Sequence, residues 1–424
     1  MMRAIGVIRK SRRERVSREE FEELLKSAGY EVLAIVEQVR EEHPRYNIGP
    51  GKLEEIKRLV KELNPDKVVF ANKLTPSQAY NLWKELRVDI IDKWQLVLEI
   101  FEKRAHSKEA KLQVELANLQ YELPLVKEAI RRIKMGDRAG FKGMGEYQVH
   151  QYFKHIRYRM GKIREELEKI RAEREIRRKK REEEGFVLIA LAGYTNAGKS
   201  TLLNALTGES IDAKNQMFTT LDTTTRRFKV RGKTMLITDT VGFIDDLPPF
   251  IVEAFHSTLE EIVKADVIIL VLDASEPWPE IRRKFFASLD VLRELKALDR
   301  PMIVALNKMD LTNREDIEKK AILLRELVDG RANIVEIVKI SAKTKTLNEL
   351  YNAIERAIEY LPKFQRFEIK VTDPGKVGKV LAMIHAMGEL LDVEFQEETK
   401  IKAYIQTGLI KELTKLGVEV RRLG

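Results

Sequence analysis

The sequence contains no cysteine among its 424 residues. A disulfide framework is therefore excluded, and an intracellular, reducing compartment is the default expectation. No stretch approaches the roughly 18 consecutive apolar residues of a membrane-spanning helix, and the apolar run near the amino terminus is too short for a signal peptide. These absences predict a cytoplasmic protein without a transmembrane segment.

Acidic residues are fewer than basic ones, 67 against 77, so the net charge is +10. A basic protein favours a polyanionic partner, either nucleic acid or an anionic membrane surface, and charge alone does not choose between them. Charged residues make up 34% of the chain and are mainly Lys, Arg and Glu, a balance typical of thermophilic proteins. The length predicts two to four domains.

A glycine-rich loop, 193–200, lies between an apolar run, 186–192, and a helical pattern. Strand, glycine loop and helix are the context that a phosphate-binding loop requires, because the loop amides and the helix N-terminus hold anions. Lys199 is expected to reach the β- and γ-phosphates, and the Ser200 hydroxyl to ligate Mg²⁺. The nucleotide-binding residues predicted here are Gly193, Tyr194, Thr195, Asn196, Ala197, Gly198, Lys199, Ser200 and Thr201.

Two later segments have the order and spacing of the switch loops of a GTPase. In the first, 218–222, a threonine can bind Mg²⁺ while the γ-phosphate is present and release it afterwards. Thr220 is the favoured ligand, and Thr219 is the adjacent alternative. The second segment begins with Asp239, which would hold Mg²⁺ through water, and ends with Gly242, whose amide would sense the γ-phosphate. The predicted metal ligands are Ser200, Thr220 and Asp239, and Phe218, Thr219, Thr240 and Val241 complete the nucleotide contacts.

A guanine-selecting segment, Asn307-Lys308-Met309-Asp310, follows a buried apolar run. The Asp310 carboxylate can accept hydrogen bonds from N1–H and the exocyclic amine of guanine, which adenine does not offer. Asn307 is expected to brace the loop, and Lys308 to flank the base plane. A further strand ends in Ser341, Ala342 and Lys343, where the Ala342 amide could face guanine O6. Three of these segments follow strands, at the edge where α/β sheets bind ligands, so the chain predicts a GTP/GDP-binding domain.

Phe243 stands where small GTPases usually carry a glutamine that orients the attacking water. Phenylalanine cannot bind that water, so slow intrinsic hydrolysis is expected. Asn196 has two readings: it braces the loop, or it helps to hold K⁺, which would supply charge as an arginine finger does. The predicted catalytic groups are Lys199, Thr220, Gly242 and Asn196.

The flanking segments predict a multidomain α/β protein. Residues 1–97 alternate strands and helices, which predicts an N-terminal parallel α/β domain, and 98–184 read as a long helical hairpin with a glycine-rich tip. Residues 185–361 are the GTP-binding domain, with a mostly parallel sheet and helices on both faces, and 362–424 form a small α+β domain. The basic run 171–181 is either a solvated helix or an RNA-binding one, and the tip is either a connector or a base-stacking loop.

The chain resembles the HflX family of GTPases, which bind the large ribosomal subunit. The resemblance lies in 46–52, 74–78, 100–105, 112–117, 143–146, 218–222 and 239–244, and so covers nearly the whole chain. It implies a hydrophobic residue at Phe243, hydrolysis stimulated by the ribosome, and dissociation or rescue of ribosomes. It also implies that the large subunit is bound through the hairpin, 98–184, and that the tip of this hairpin probes ribosomal RNA near the peptidyl transferase centre. The family usually continues the glycine loop at 143–146 as Glu-Thr-Gln-Leu-Glu, followed by an Asp-Arg-Arg run. Here, however, Glu146 is followed by Tyr-Gln-Val-His at 147–150, and the Asp-Arg-Arg run is missing.

Two other functions remain open on the sequence. A nucleotide-gated protein that binds non-ribosomal RNA is the first alternative. Peripheral contact with a membrane surface is the second and weaker alternative, because the basic helix at 171–181 lacks a broad apolar face. A monomer is expected, since nothing in the sequence demands a dimer.

Overall fold

The computed structural model describes residues 2–11, 16–135, 146–183, 186–208, 225–230, 233–243, 250–251, 256–328, 332–359, 361, 364–395 and 398–423. The described residues fall into two compact units. The first contains those up to residue 170 together with 250–251, and the second contains the others. Within these ranges, no helix is long and apolar enough to cross a bilayer.

The first unit begins with a four-stranded parallel sheet, as the alternating pattern predicts. The strand order is β2-β1-β3-β4. Proline stands at the first helical position of α2 and α3, where its fixed φ suits a helix start, and the Thr75 side chain caps α3. The strands are β1 (Met2–Lys10), β2 (Tyr30–Val39), β3 (Lys67–Phe70) and β4 (Asp89–Asp92), and the helices are α1 (Arg18–Ser27), α2 (Pro50–Leu63) and α3 (Pro76–Leu86).

Residues 95–135, whose apolar residues recur with a helical period, belong to two helices, α4 (Lys93–Arg104) and α5 (Lys108–Lys134). The chain breaks at Ala105, which is extended, and Ser107 caps α5 by accepting the Ala110 N–H. An apolar period continues on both sides of this cap, so the period alone does not show where one helix ends and the next begins.

An antiparallel hairpin forms between α5 and α6 (Glu146–Glu183), as predicted. Its core contains the leucine seam of α5, with Leu112 and Leu116 buried against Ile156 and Ile163 of α6. The antiparallel direction follows from the pairs along its length, because Glu122 accepts a hydrogen bond from Tyr152 and Glu115 pairs with Arg159. The tip residues 136–145 lie outside the described ranges.

The second unit contains a six-stranded sheet with the order β10-β9-β8-β5-β7-β6, in which only the β6–β7 pair is antiparallel. The central strands are buried on both faces, which explains their unbroken apolar sequences. Its strands are β5 (Leu188–Gly193), β6 (Thr225–Val230), β7 (Lys233–Asp239), β8 (Val267–Asp273), β9 (Met302–Asn307) and β10 (Ile334–Lys339). The helices are α7 (Lys199–Thr207), α8 (His256–Lys264), α9 (Trp278–Glu294), α10 (Arg314–Val328) and α11 (Asn348–Glu359).

The last part of the chain forms an antiparallel sheet with two helices, which confirms the α+β prediction. The order β12-β13-β11-β14 and the β-α-β-β-α-β sequence of elements are those of a split βαβ fold. The Lys233 ammonium at the start of β7 lies 5.2 Å from the Tyr404 ring centroid of this sheet. The elements are β11 (Phe364–Val371), α12 (Pro374–Met387), β12 (Gly388–Glu394), β13 (Thr399–Gln406), α13 (Leu409–Lys415) and β14 (Glu419–Arg422).

Candidate nucleotide-binding site

The site lies where β5, β7, β8 and β9 end, because the carboxyl ends of parallel strands meet at one edge of the sheet. Gly193 and Gly198 shape the loop there, with φ values of 137° and 94°. A Cβ atom on Gly193 would lie 2.3 Å from the Val271 carbonyl oxygen, and one on Gly198 would lie 2.3 Å from Asn307 Nδ2. Both positions therefore require glycine on steric grounds as well as by conformation.

Lys199 is buried at the start of α7. Its Nζ donates to the carbonyl oxygens of Gly193 at 3.0 Å and Tyr194 at 2.8 Å. Burial lowers the pKa of this lysine to about 8, against the opposing effect of Asp239. Because Gly198 offers no capping side chain, the first amides of α7 and its dipole remain suited to an anion. The loop thus provides fixed donors for phosphate groups.

Two predicted metal ligands meet beside this lysine. Ser200 Oγ donates to Asp239 Oδ2 at 2.7 Å, and Asp239 is buried at the end of β7. Thr240 fixes the carboxylate, because its N–H donates to Asp239 Oδ1 at 3.0 Å while its hydroxyl donates to the Leu191 carbonyl at 2.6 Å. A hydroxyl and a carboxylate are the hard oxygen donors that suit Mg²⁺. The third predicted ligand, Thr220, lies outside the described residues with Phe218 and Thr219.

The second switch segment is joined to the phosphate loop through the main chain. Phe243 N–H donates to the Gly193 carbonyl at 3.0 Å, and Thr195 N–H donates to the Phe243 carbonyl at 2.9 Å. Gly242 consequently packs so closely that a Cβ there would lie 3.1 Å from Lys199 Nζ. This places the Gly242 backbone beside the lysine, as its predicted phosphate-sensing role requires, and Val241 is buried next to it. Sequence reasoning missed the Phe243 pairing.

Asn307 connects the phosphate loop to the base loop. Its Nδ2 donates to the Ala197 carbonyl at 2.9 Å, and its Oδ1 accepts the Ala342 N–H at 3.0 Å. The bracing role predicted for Asn307 thus has a geometric basis. The Ala342 amide, expected to face guanine O6, is used for this bracing because the buried carboxamide needs a donor. A contact of Ala342 with the base stays a prediction.

The base loop orients Asp310 through Ser341. The Ser341 hydroxyl donates to Asp310 Oδ1 at 2.6 Å and accepts the Thr344 N–H at 3.1 Å. Asp310 and Lys343 are exposed, so both can meet a ligand from solvent. The structure therefore brings together the Asp310 and Ser341–Lys343 segments, which are about thirty residues apart in sequence. The sequence did not predict the hydrogen bond from Ser341 to the Asp310 carboxylate.

The remaining loop residues have distinct surroundings. Asn196 has a positive φ of 62°, and the neighbouring Thr195 Oγ1 is buried without a hydrogen-bond partner among the described residues. Such an oxygen is compatible with a further ligand at this point of the loop. The Tyr194 ring is buried under α9, with the Lys284 ammonium 5.1 Å from its centroid, and Thr201 continues the first turn of α7. The role of Asn196 stays a prediction.

Comparisons with known proteins agree with this geometry. Three family models match, described as GTP-binding GTPase N-terminal over residues 15–102, GTP-binding GTPase Middle Region over 104–181, and 50S ribosome-binding GTPase over 188–308. The GTPase HflX of Thermococcus kodakarensis is 72% identical over 423 residues, covering 100% of this chain and 96% of that protein. The GTPase HflX of Methanocaldococcus jannaschii is 46% identical over 356 residues, 84% of this chain and 86% of that protein.

Among solved structures, the crystal structure of the SsGBP and GDP complex is similar to this chain. It is 30% identical, with a TM-score of 0.51, and the match covers 84% of this chain and 98% of that one.

Proposed function

Because the chain belongs to the GTPase HflX family and is therefore a GTPase, we propose that its GTP-bound state attaches to the large ribosomal subunit. The observation that carries this proposal is the convergence of Lys199, the Ser200–Asp239 pair and Asp310 at one sheet edge. Lys199, Ser200 and Asp239 lie within residues 188–308, which match the family model described as 50S ribosome-binding GTPase. The ligands are GTP and GDP, and Mg²⁺ would be held by Ser200, Asp239 and Thr220.

In the proposed cycle each residue has a defined task. Lys199 and the first amides of α7 bind the phosphates. Asp310 accepts hydrogen bonds from the edge of guanine, and the Ser341 hydroxyl orients the Asp310 carboxylate. Mg²⁺, when bound, neutralises charge on the phosphate oxygens. Gly242 senses the γ-phosphate. Phe243 leaves the attacking water without a hydrogen-bond partner, so we expect a low intrinsic rate that the ribosome raises.

The helical hairpin, 98–184, is the proposed RNA contact. Its second helix exposes two tyrosines, Tyr147 (76% exposed) and Tyr158 (66% exposed). Lys154, Arg157 and Lys162 are exposed on the same stretch, and the Lys162 ammonium lies 5.8 Å from the Tyr158 ring centroid. Aromatic rings stack on unpaired bases and cations bind phosphates, so this stretch suits ribosomal RNA.

The proposed outcome is dissociation or rescue of ribosomes in the cytoplasm by a monomer. An action on non-ribosomal RNA is the alternative, and the same exposed tyrosines and lysines would serve it. Peripheral membrane binding has less support, because the buried apolar residues of α6 pack in the hairpin core and, among the side chains of α6 that the structure describes, those outside this core leave no broad apolar face.

Sedimentation with purified ribosomal subunits tests the proposal. We expect the protein to enter the large-subunit fraction with a non-hydrolysable GTP analogue and to leave it with GDP. If the analogue gives no more binding than GDP, the ribosomal proposal fails. Binding to unrelated RNA with equal affinity would favour the alternative function.

Deletion of residues 138–147 tests the tip of the hairpin. The deletion should abolish dissociation of ribosomes while basal GTP hydrolysis continues, because the tip is remote in sequence from every predicted nucleotide contact. An unchanged dissociation rate would remove the tip from the mechanism.

A further inference from the structure

Four charged side chains lie together near the carboxyl end of β8. Lys308 Nζ is 2.6 Å from Asp273 Oδ2, and Lys284 Nζ is 2.5 Å from Glu276 Oε1. The second pair extends towards the phosphate loop, because Lys284 also faces the Tyr194 ring. Because Glu276 forms its ion pair with Lys284, Asp273 is the carboxylate that forms an ion pair with Lys308.

The Asp273 carboxylate is fixed by its own strand end. Its Oδ1 accepts hydrogen bonds from the Ser275 N–H at 2.9 Å and the Ser275 hydroxyl at 2.6 Å, which leaves Oδ2 for Lys308. The adjacent Ala274 N–H donates to the Asn307 carbonyl at 2.8 Å. The Asp273 carboxylate is therefore held by contacts other than the lysine. The chain beside Asp273 is also hydrogen-bonded to the end of β9, which leads into the base loop.

Lys308 lies where the backbone turns from the end of β9 into the base loop. Its φ is 64°, the left-handed region that side chains other than glycine rarely adopt. This residue sits between Asn307, which braces the two loops, and the short 3₁₀ turn that carries Asp310. An ammonium held on Asp273 keeps the methylene stem of Lys308 in one direction, and such stems cover apolar surface readily.

We propose that Asp273 is a positioning residue for guanine nucleotide binding: it anchors the Lys308 ammonium so that the lysine stem lies ready against the base. This inference rests on the proposed role of Lys308 at the base plane. It assigns Asp273 no contact with the nucleotide, so its effect must pass through Lys308.

A double-mutant cycle tests this dependence directly. The variants are Asp273→Asn, Lys308→Met and the two together, and the measurement is the dissociation constant of fluorescent GDP. We expect each single variant to weaken binding by about tenfold, and the double variant to bind within about threefold of Lys308→Met alone, since coupled residues are not additive. Losses that multiply in the double variant would overturn the inference, because Asp273 would then act independently of Lys308.

Two further measurements separate positioning from a loss of structure. Asp273→Glu keeps the charge and should recover most of the affinity, whereas failure of this rescue contradicts an ion-pair role. Asp273→Asn should weaken GDP and inosine diphosphate alike, because Lys308 does not read the exocyclic amine; selective loss of GDP would contradict the inference. Asp290→Asn, in an exposed ion pair with Arg293 on α9, is the matched control and should bind like the parent.

The cycle also distinguishes this inference from the proposed site. If Lys308→Met binds GDP like the parent, both the role of Lys308 and the inference fall. If Lys308→Met weakens binding but Asp273→Asn does not, only the inference falls.

Discussion

Asn307 Nδ2 donates a hydrogen bond to the Ala197 carbonyl oxygen at 2.9 Å, across 110 residues of sequence. With the Ala342 N–H on its Oδ1, this one buried carboxamide ties the phosphate loop to the base loop. The spacing between the phosphate contacts and the guanine contacts therefore depends on Asn307.

Replacing Asn307 by alanine should weaken binding of both GDP and GTP. The change leaves the Ala197 carbonyl and the Ala342 amide without their partner, and an unsatisfied buried polar group costs about 1–3 kcal/mol. We expect a loss of about tenfold to a hundredfold in affinity, measured by titration with fluorescent nucleotides. Asn333→Ala, which removes a single exposed hydrogen bond to Asp299, is the control and should bind normally. Parent-like affinity in Asn307→Ala would refute the bracing role.

Nucleotide binding should take up a proton in mildly alkaline solution. Burial holds the pKa of Lys199 at about 8, below that of a free lysine, and nearby phosphates favour the charged form and raise the pKa on binding. The association constant should therefore fall by up to about tenfold per pH unit above the lower pKa. Calorimetry at about pH 9 in buffers of different ionisation enthalpy measures the proton. Lys199→Arg, charged at every relevant pH, should show no uptake; equal uptake in this variant would exclude Lys199 as the group.

Potassium is predicted to stimulate hydrolysis if Asn196 helps to hold it. Asn196 has a positive φ of 62° and lies beside the buried Thr195 oxygen. Turnover should be higher in KCl than in NaCl at equal ionic strength, and Asn196→Ala should remove the difference. Equal rates in the two salts would leave Asn196 with the bracing role alone.

Two substitutions on α6 should separate the stability of the hairpin from its contact with RNA. Ile156 is fully buried in the hairpin core, whereas Tyr158, two residues away, is exposed. Ile156→Ala should lower the free energy of unfolding by about 2–5 kcal/mol, because it leaves a cavity. Tyr158→Ala should leave thermal stability nearly unchanged but weaken binding to large subunits. If Tyr158→Ala binds large subunits as tightly as the parent does, Tyr158 is not part of the RNA contact.

The sequence predicted the elements that depend on local chemistry. The glycine loop and the apolar strands of the GTPase domain follow from spacing and hydrophobic patterns, and the structure has both. The loops converge because parallel strands share an edge, which also follows from the pattern.

The parts that could not be predicted are contacts between residues distant in sequence. Nothing local shows that Phe243 pairs with the phosphate loop through its main chain, or that Ser341 donates to Asp310. The ion pair between Asp273 and Lys308 likewise exists only because β8 and β9 are neighbours in the sheet. Local patterns predicted the groups of the candidate site, and packing determined which residues those groups contact.

The central claim is that guanine recognition at Asp310 controls attachment to the large subunit, and Asp310→Asn tests it most directly. The asparagine offers an amide in place of a carboxylate oxygen, which matches xanthine better than guanine. Co-sedimentation with large subunits should then require a non-hydrolysable xanthosine triphosphate analogue, while the exposed control Asp299→Asn still responds to the GTP analogue. If Asp310→Asn enters the large-subunit fraction with the GTP analogue as readily as the parent does, the account is contradicted.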